Sequence, residues 1–269
     1  MLLRSITGHV KTQNWFAVGI DFVIVVIGVY IGIQVSNWNE ARLESERGEY
    51  FAARLVEDIR QEFTIYEAER EYYSTVHDYA LRAVVLLDSD EPGFDNELVV
   101  SAYNATQYFY AEPARSTYDE LLATGNLYLL EDENLRNASL FLYNSTNRLR
   151  LSSYVLDSAY RERVRRVMRY DVQQAVREQC GDVIDDVSGF SSGIPASCRI
   201  DFPRASIVAA ATALRNDPEI RSDLAFFLSS LGYFISDVAS VRRQAEQRLE
   251  GTYIDPAANS ESTAADQAT

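Results

Sequence analysis

The longest apolar stretch of the chain lies near its start. Residues Phe16 to Val35 read FAVGIDFVIVVIGVYIGIQV, and Phe22 to Ile33 carry neither a charge nor an amide. Alone, those twelve residues rise only ~18 Å as a helix, against a bilayer hydrocarbon core of about 30 Å. Extension from Trp15 to Val35 brings the rise to ~31 Å and places Trp15 and Trp38 as interfacial aromatics. The pattern predicts a transmembrane helix over 15–36. The rival is a cleavable signal peptide, which has a shorter apolar region and ends at small residues. Gln34-Val35-Ser36-Asn37-Trp38 makes a poor cleavage site.

Beyond the span the apolar spacing stays helical. Leu43, Tyr50, Leu55, Ile59, Phe63, Tyr66, Tyr73, Val76, Ala80, Val84 and Leu87 recur every three to five residues, so the membrane helix is expected to run on into a long amphipathic one. Asp88 to Gly93 ends it as a polar turn. A second helix is expected over 96–110, stopped by Glu112-Pro113. Thr117 and Glu120 have the capping-box spacing, ahead of a short helix closed by Gly125. A further helix starts near Asp132, runs past Tyr143 to Leu156 and continues through Arg161–Arg169 toward Gln179. Helices over 205–216 and 218–249 complete the set, the latter with Pro218 at an early helical position. No alternating strand pattern of useful length occurs, so the fold class is all-α, with a soluble helical bundle after the membrane helix. The expected organisation is an N-terminal cytoplasmic segment (1–14), the membrane helix (15–36), a soluble domain (37–254) and a disordered tail (255–269), whose small polar residues have no periodicity.

Charge narrows the partners. The chain holds 40 acidic and 25 basic residues, a net −15, and without Arg4, Lys11 and Asp21 the remainder carries 39 against 23, a net −16. Such a soluble part repels phosphate backbones and anionic lipid surfaces, which argues against nucleic acid as a partner. The lipid bilayer is the expected partner of the first helix.

That helix has a distinctive face. Asp21, Val25, Gly28 and Gly32 fall on one side by their spacing, and Gly28 to Gly32 form a GxxxG, which lets two helices approach closely. Two readings stand for Asp21: a carboxylate held at headgroup level, or a contact between associated helices in a homo-oligomer. Arg4 and Lys11 before the span nearly tie with Arg42 and Arg47 after it, so the positive-inside rule alone decides little. Cys180 and Cys198 bracket a Gly- and Ser-containing stretch and read as a disulfide, contributing ~3 kcal/mol by constraining the unfolded chain. The alternative is two separate thiols in a reducing compartment. A disulfide favours a soluble domain outside the inner membrane, in a bacterial periplasm, with the N-terminus cytoplasmic.

Catalytic signatures are absent from the sequence. His9 and His77 sit in no ligand-spaced motif, and neither a phosphate-binding glycine loop, a nucleophile elbow nor a CxxC pair occurs. No catalytic residue, cofactor or metal is therefore expected. Asp182, Asp185 and Asp186 could group oxygen ligands for calcium, but their spacing matches no EF-hand, and a solvated acidic loop is the simpler reading. The basic run Arg161 to Arg169 stands out against the acidic background. On a continuous helix Arg161, Arg165 and Arg169 share a face, either pairing with acidic helices of the same domain or docking an anion or an acidic partner. The 17 tyrosines read as core, with an inter-helix pocket as the rival.

Residues 19–59, including Gly19, Asp21, Gly28, Gln34 and the run Asn37-Trp38-Asn39-Glu40, resemble the N-terminus of a bacterial family of single-pass membrane proteins of unknown function. That family has an acidic residue early in its membrane helix, more usually Glu, followed by a Gln…Asn-Trp-Asn-Glu exit. Residues 116–136, STYDELLATGNLYLLEDENLR, are similar to the family's central motif. The resemblance implies a membrane-anchored helical protein and brings no reaction or ligand. Two functions fit: a helical interaction or scaffold protein, self-associating through its membrane helix and docking a protein partner, or a periplasmic ligand-sensing module whose Arg- and Tyr-lined site couples to that helix.

Overall fold

The computed structural model describes residues 15–89, 91–184 and 191–250. The expected segments 1–14 and 255–269, together with Asp185, Asp186 and Gly189, lie outside them. Among the described residues nine α-helices form the fold, and the chain divides into two compact units, 1–51 and 52–269. Helix α1, Trp15–Leu87, begins in the first and ends in the second.

In the first unit α1 is apolar and then charged. Its most apolar eighteen residues have a mean hydropathy of 2.0, and none of them is buried. A Cβ added at Gly19, Gly28 or Gly32 would meet no atom within 4 Å. Glycine inside a helix costs about 1 kcal/mol relative to alanine, and among the described residues no contact offsets that cost at these positions. The charged stretch that follows is held by local pairs such as Arg42 with Glu46 at 3.8 Å, one turn apart.

In the second unit, one row of buried positions on α1 recurs in alternating steps of four and three, Leu55, Ile59, Glu62, Tyr66, Glu69, Tyr73, Val76, Ala80, Ala83 and Leu87, flanked by Val56, Tyr72, Tyr79 and Leu86. This 3.5-residue period suits a helix packed lengthwise in a bundle. The stripe expected from apolar residues alone needs correction. Leu43 and Tyr50 are exposed, Val84 is largely exposed, and Phe63 is half-buried. Glu62, Glu69 and Ala83 occupy the seam instead.

Helix α2 (Asp95–Asn104) is buried along nearly its whole length. It ends six residues earlier than expected, because Tyr73 takes over the backbone of Phe109: its hydroxyl donates to the Phe109 carbonyl and accepts from the Phe109 amide, both at 3.1 Å. Helix α3 (Ser116–Ala123) has no capping box. Asp58 on α1 accepts from the Thr117 amide at 2.7 Å and so caps α3 from another helix. Its other end matches expectation: Gly125 has φ +70°, and the Asn126 amide reaches back to the Leu121 carbonyl at 2.9 Å.

The expected continuous helix from Asp132 toward Gln179 is four helices: α4 (Glu133–Tyr143), α5 (Asn147–Leu156), α6 (Ala159–Val167) and α7 (Tyr170–Cys180). Short polar side chains bond locally at the breaks. Asp132 caps α4 through the amides of Asn134 and Leu135, Ser145 accepts from the Asn147 amide, and Ser158 caps α6 through the Arg161 amide. The next break falls at Met168 and Arg169, which are extended at ψ 129° and 144°.

After α7 a short antiparallel ladder, β1 (Val183–Ile184) with β2 (Ser191–Gly193), lies inside the cysteine-bracketed segment. Helix α8 (Arg204–Asn216) packs on α2, α6 and α7. Helix α9 (Ile220–Leu249) starts after Pro218, with Asp217 accepting from the amides of Glu219 and Ile220. It packs on α4, α5 and α6 and buries Leu224, Phe227, Leu231, Val238 and Ala245. By length and composition α9 also suffices to cross a membrane. Its apolar stripe is covered by its own domain, whereas the apolar part of α1 is bare.

Candidate functional site

Two clusters of charge and aromatic rings stand out in the second unit. The first is on the α1 seam. Glu62 and Glu69 lie two turns apart, with Tyr66 between them. Arg148 on α5 binds both, donating from Nη1 to Glu62 Oε1 and from Nε to Glu69 Oε2, each at 2.6 Å. Its third contact is the Ala111 carbonyl at 3.1 Å, and its guanidinium lies 5.2 Å from the Tyr66 ring centroid. Glu62 also accepts from the Ala114 amide at 2.8 Å. The side chains are 11%, 5% and 2% exposed for Arg148, Glu62 and Glu69. Burial, opposed by Arg148, holds the Glu69 carboxyl above the usual carboxylate range, and burial pushes Tyr66 up to about 12. A recess of about 210 Å³ lies beside the cluster, lined by Tyr110, Pro113 and Tyr143 among others. With both carboxylates engaged by one guanidinium, the arrangement is a clamp between α1 and α5.

The clamp predicts a pH dependence. Glu69 binds its proton more tightly folded than unfolded, so protonation stabilises the fold. That contribution is complete below the unfolded value of about 4.5 and is lost as the pH rises through the higher folded value. Urea unfolding at stepped pH above 4.5 should show wild type losing stability relative to Glu69→Gln as the pH rises. A constant difference between the two would contradict it.

The second cluster contains part of the basic run. Arg161 and Arg165 on α6 meet at Thr106: Arg161 donates to its carbonyl, and Arg165 Nη2 donates to its Oγ1 at 2.7 Å and to Gln107 Oε1 at 3.2 Å. Arg165 lies flat on the Tyr103 ring, 3.6 Å from the centroid, and Arg161 lies 5.1 Å from that of Tyr108. Arg177 on α7 donates from Nε to the Tyr103 hydroxyl at 3.1 Å. Burial, then the neighbouring guanidiniums, pull Arg161 and Arg165 below the usual arginine value against the opposing influence of nearby tyrosines.

Arg169 does not share this face. The break at Met168 turns it away, and it is exposed and paired with Asp171 at 2.6 Å. Arg163 and Arg166 also fit the plain reading of the run. Arg163 pairs with Asp217 at 3.6 Å, and with Glu219 and Asp223, at the start of α9. Arg166 pairs with Glu162.

Cys180 and Cys198 are joined, with sulfurs 1.96 Å apart. The segment they close is held to α1 by Tyr72, which donates to Asp182 at 2.6 Å, and by Tyr79, which donates to the Pro195 carbonyl; just beyond it Asn96 exchanges two hydrogen bonds with the Ile200 backbone and Gln179 accepts from the Asp201 amide. Asp182 is thus tied to α1 rather than simply solvated, and burial of its carboxyl raises its pKa despite the Tyr72 bond. Among the described residues no group of three or more metal-ligating side chains occurs. His77 is partly exposed, 3.9 Å from Asp78. A groove of about 680 Å³ runs beside the disulfide, and the Arg82–Glu97 ion pair is part of its lining.

The sequence pattern did not single out Glu62, Glu69, Arg148 or Arg177, whereas Tyr103 belongs to the tyrosines expected as core and is buried. The two glutamates carry a signal, since they fall at seam positions of a 3.5-residue repeat; Arg148 and Arg177 carry none. No family model, no curated protein and no solved structure matches this chain.

Proposed function

We propose that this chain is a membrane-anchored helical interaction protein that self-associates through α1, with residues 37–254 forming a periplasmic domain and the N-terminus in the cytoplasm. One observation carries the reading: among the described residues nothing covers the apolar part of α1, and its three glycines meet no contact that requires them. An apolar helix of this length is stable in hydrocarbon, where its backbone is internally bonded. A GxxxG face gains from its small residues when a second helix packs against it. Asp21 lies on that same face, and a carboxylate inside the span costs a few kcal/mol unless hydrated or paired. Association offers it a partner. The disulfide supports an oxidising compartment. The resemblance of residues 19–59 and 116–136 to a single-pass membrane family points the same way.

Maleimide labelling of intact bacteria tests the anchor and its orientation. Without reductant neither cysteine should react. With a reductant confined to the outside, Cys198, which is half-exposed, should label while the protein stays in the membrane fraction after alkaline carbonate washing. Labelling only after lysis, or release by carbonate, would contradict the reading.

A further inference from the structure

Most partly buried arginines of the second unit are neutralised by carboxylates. Arg148 holds Glu62 and Glu69, Arg215 holds Asp95 at 2.7 Å, Arg163 holds three acids, and Arg242 holds Glu67 and Glu246. Arg161 and Arg165 break that rule, and the exposed Arg177 beside them also lacks an acidic partner among the described residues. Their hydrogen-bond partners are the Thr106 carbonyl and hydroxyl, the Gln107 amide oxygen and the Tyr103 hydroxyl, all neutral. Among the described residues none of the three has a carboxylate within ion-pair distance. Arg165 Nε is buried without a partner, and among the described residues the side-chain hydrogen bonds of Arg161 and Arg177 use only Nη1 and Nε respectively.

Three guanidiniums gathered around Tyr103 and Thr106 repel one another, and partial desolvation strengthens that repulsion. The faces of Tyr103 and Tyr108 offset it by about 0.5–2 kcal/mol per contact, but a ring quadrupole supplies no counter-charge. In a chain with a net charge of −15 acids are abundant, yet among the described residues none lies within ion-pair distance of the three guanidiniums. Asp182, the carboxylate beside Tyr72, is occupied by the Tyr72 hydroxyl.

We infer that Arg161, Arg165 and Arg177 form a binding site for a phosphate-type oxyanion. Guanidinium forks match phosphate oxygens bidentately, and a doubly charged tetrahedral anion offers enough acceptors for more than one fork, whereas a single carboxylate satisfies only one. The chemistry is shared by free phosphate, a soluble phosphomonoester and a lipid headgroup. The site stands independently of self-association through α1.

The test uses the full chain in non-ionic detergent, with unfolding followed by circular dichroism. Sodium phosphate is titrated against sodium chloride at fixed ionic strength, and a short-chain phosphatidic acid is titrated separately. The expected result is a saturable rise in Tm, roughly 5–10 °C at a hundred times the Kd. Arg165→Gln and Arg177→Gln should each weaken binding at least about tenfold, about 1.4 kcal/mol. Arg166→Gln, whose side chain is exposed and paired with Glu162, should bind as wild type does. A response to phosphate identifies a free anion, and a response to phosphatidic acid alone identifies a headgroup; either supports the site. Arg177 is exposed, so its variant remains informative should Arg165→Gln fail to fold. No saturable rise with either probe, or a rise unchanged in Arg177→Gln, overturns the inference.

Discussion

Arg148→Met should lower the Tm of the full chain by roughly 10–15 °C. The substitution keeps the apolar stem and removes the one cation that faces Glu62 and Glu69, whose side chains are 5% and 2% exposed. Removing one partner of a buried ion pair costs about 3–5 kcal/mol, because the remaining charge stays desolvated. In a domain of this size each kcal/mol moves Tm by roughly 2–4 °C. The cause is separable from lost packing. Adding Glu69→Leu and Glu62→Gln to Arg148→Met removes both stranded charges while keeping an acceptor for the Ala114 amide, and should recover more than half of the loss. A drop of only a degree or two in the single variant would mean that the carboxylates are hydrated and that the clamp contributes little.

The second large effect belongs to the other unit. Gly28→Ile and Gly32→Ile should each weaken self-association in a bilayer roughly 30-fold, about 2 kcal/mol. Within the chain both positions are open to a Cβ, which would meet nothing within 4 Å. The variants should therefore leave the unfolding of the second unit unchanged. Val29→Ile, off the glycine face, serves as the control. Analytical ultracentrifugation in density-matched detergent reads the difference, and equal association in all three variants would remove the glycines from the interface.

The parts of this fold that the sequence made legible are those written in local chemistry. An uninterrupted apolar run marked the first part of α1, Gly125 marked the end of α3, and two cysteines around a Gly- and Ser-containing stretch marked the disulfide. The parts that stayed hidden depend on long-range partners. Glu62 and Glu69 fall at seam positions of the repeat, but a stripe drawn from apolar residues alone leaves them out, and their partner Arg148 lies about eighty residues on. Asp58 reads as surface until α3 is laid against it. Arg169 looked equivalent to Arg161 and Arg165 because helical spacing assumes an unbroken helix; Met168 and Arg169, extended at the end of α6, break it. Arg177 could not be joined to Arg165 before Tyr103 of α2 was placed between them.

Self-association of the anchored chain is tested most directly by energy transfer between donor- and acceptor-labelled copies of the full protein reconstituted in liposomes, measured as the lipid-to-protein ratio is raised. Transfer should persist at high dilution and decline along a reversible association curve, shifted to lower dilution by Gly28→Ile. Transfer no greater than that of randomly distributed monomers at every ratio, or failure of the wild-type chain to insert, would contradict it.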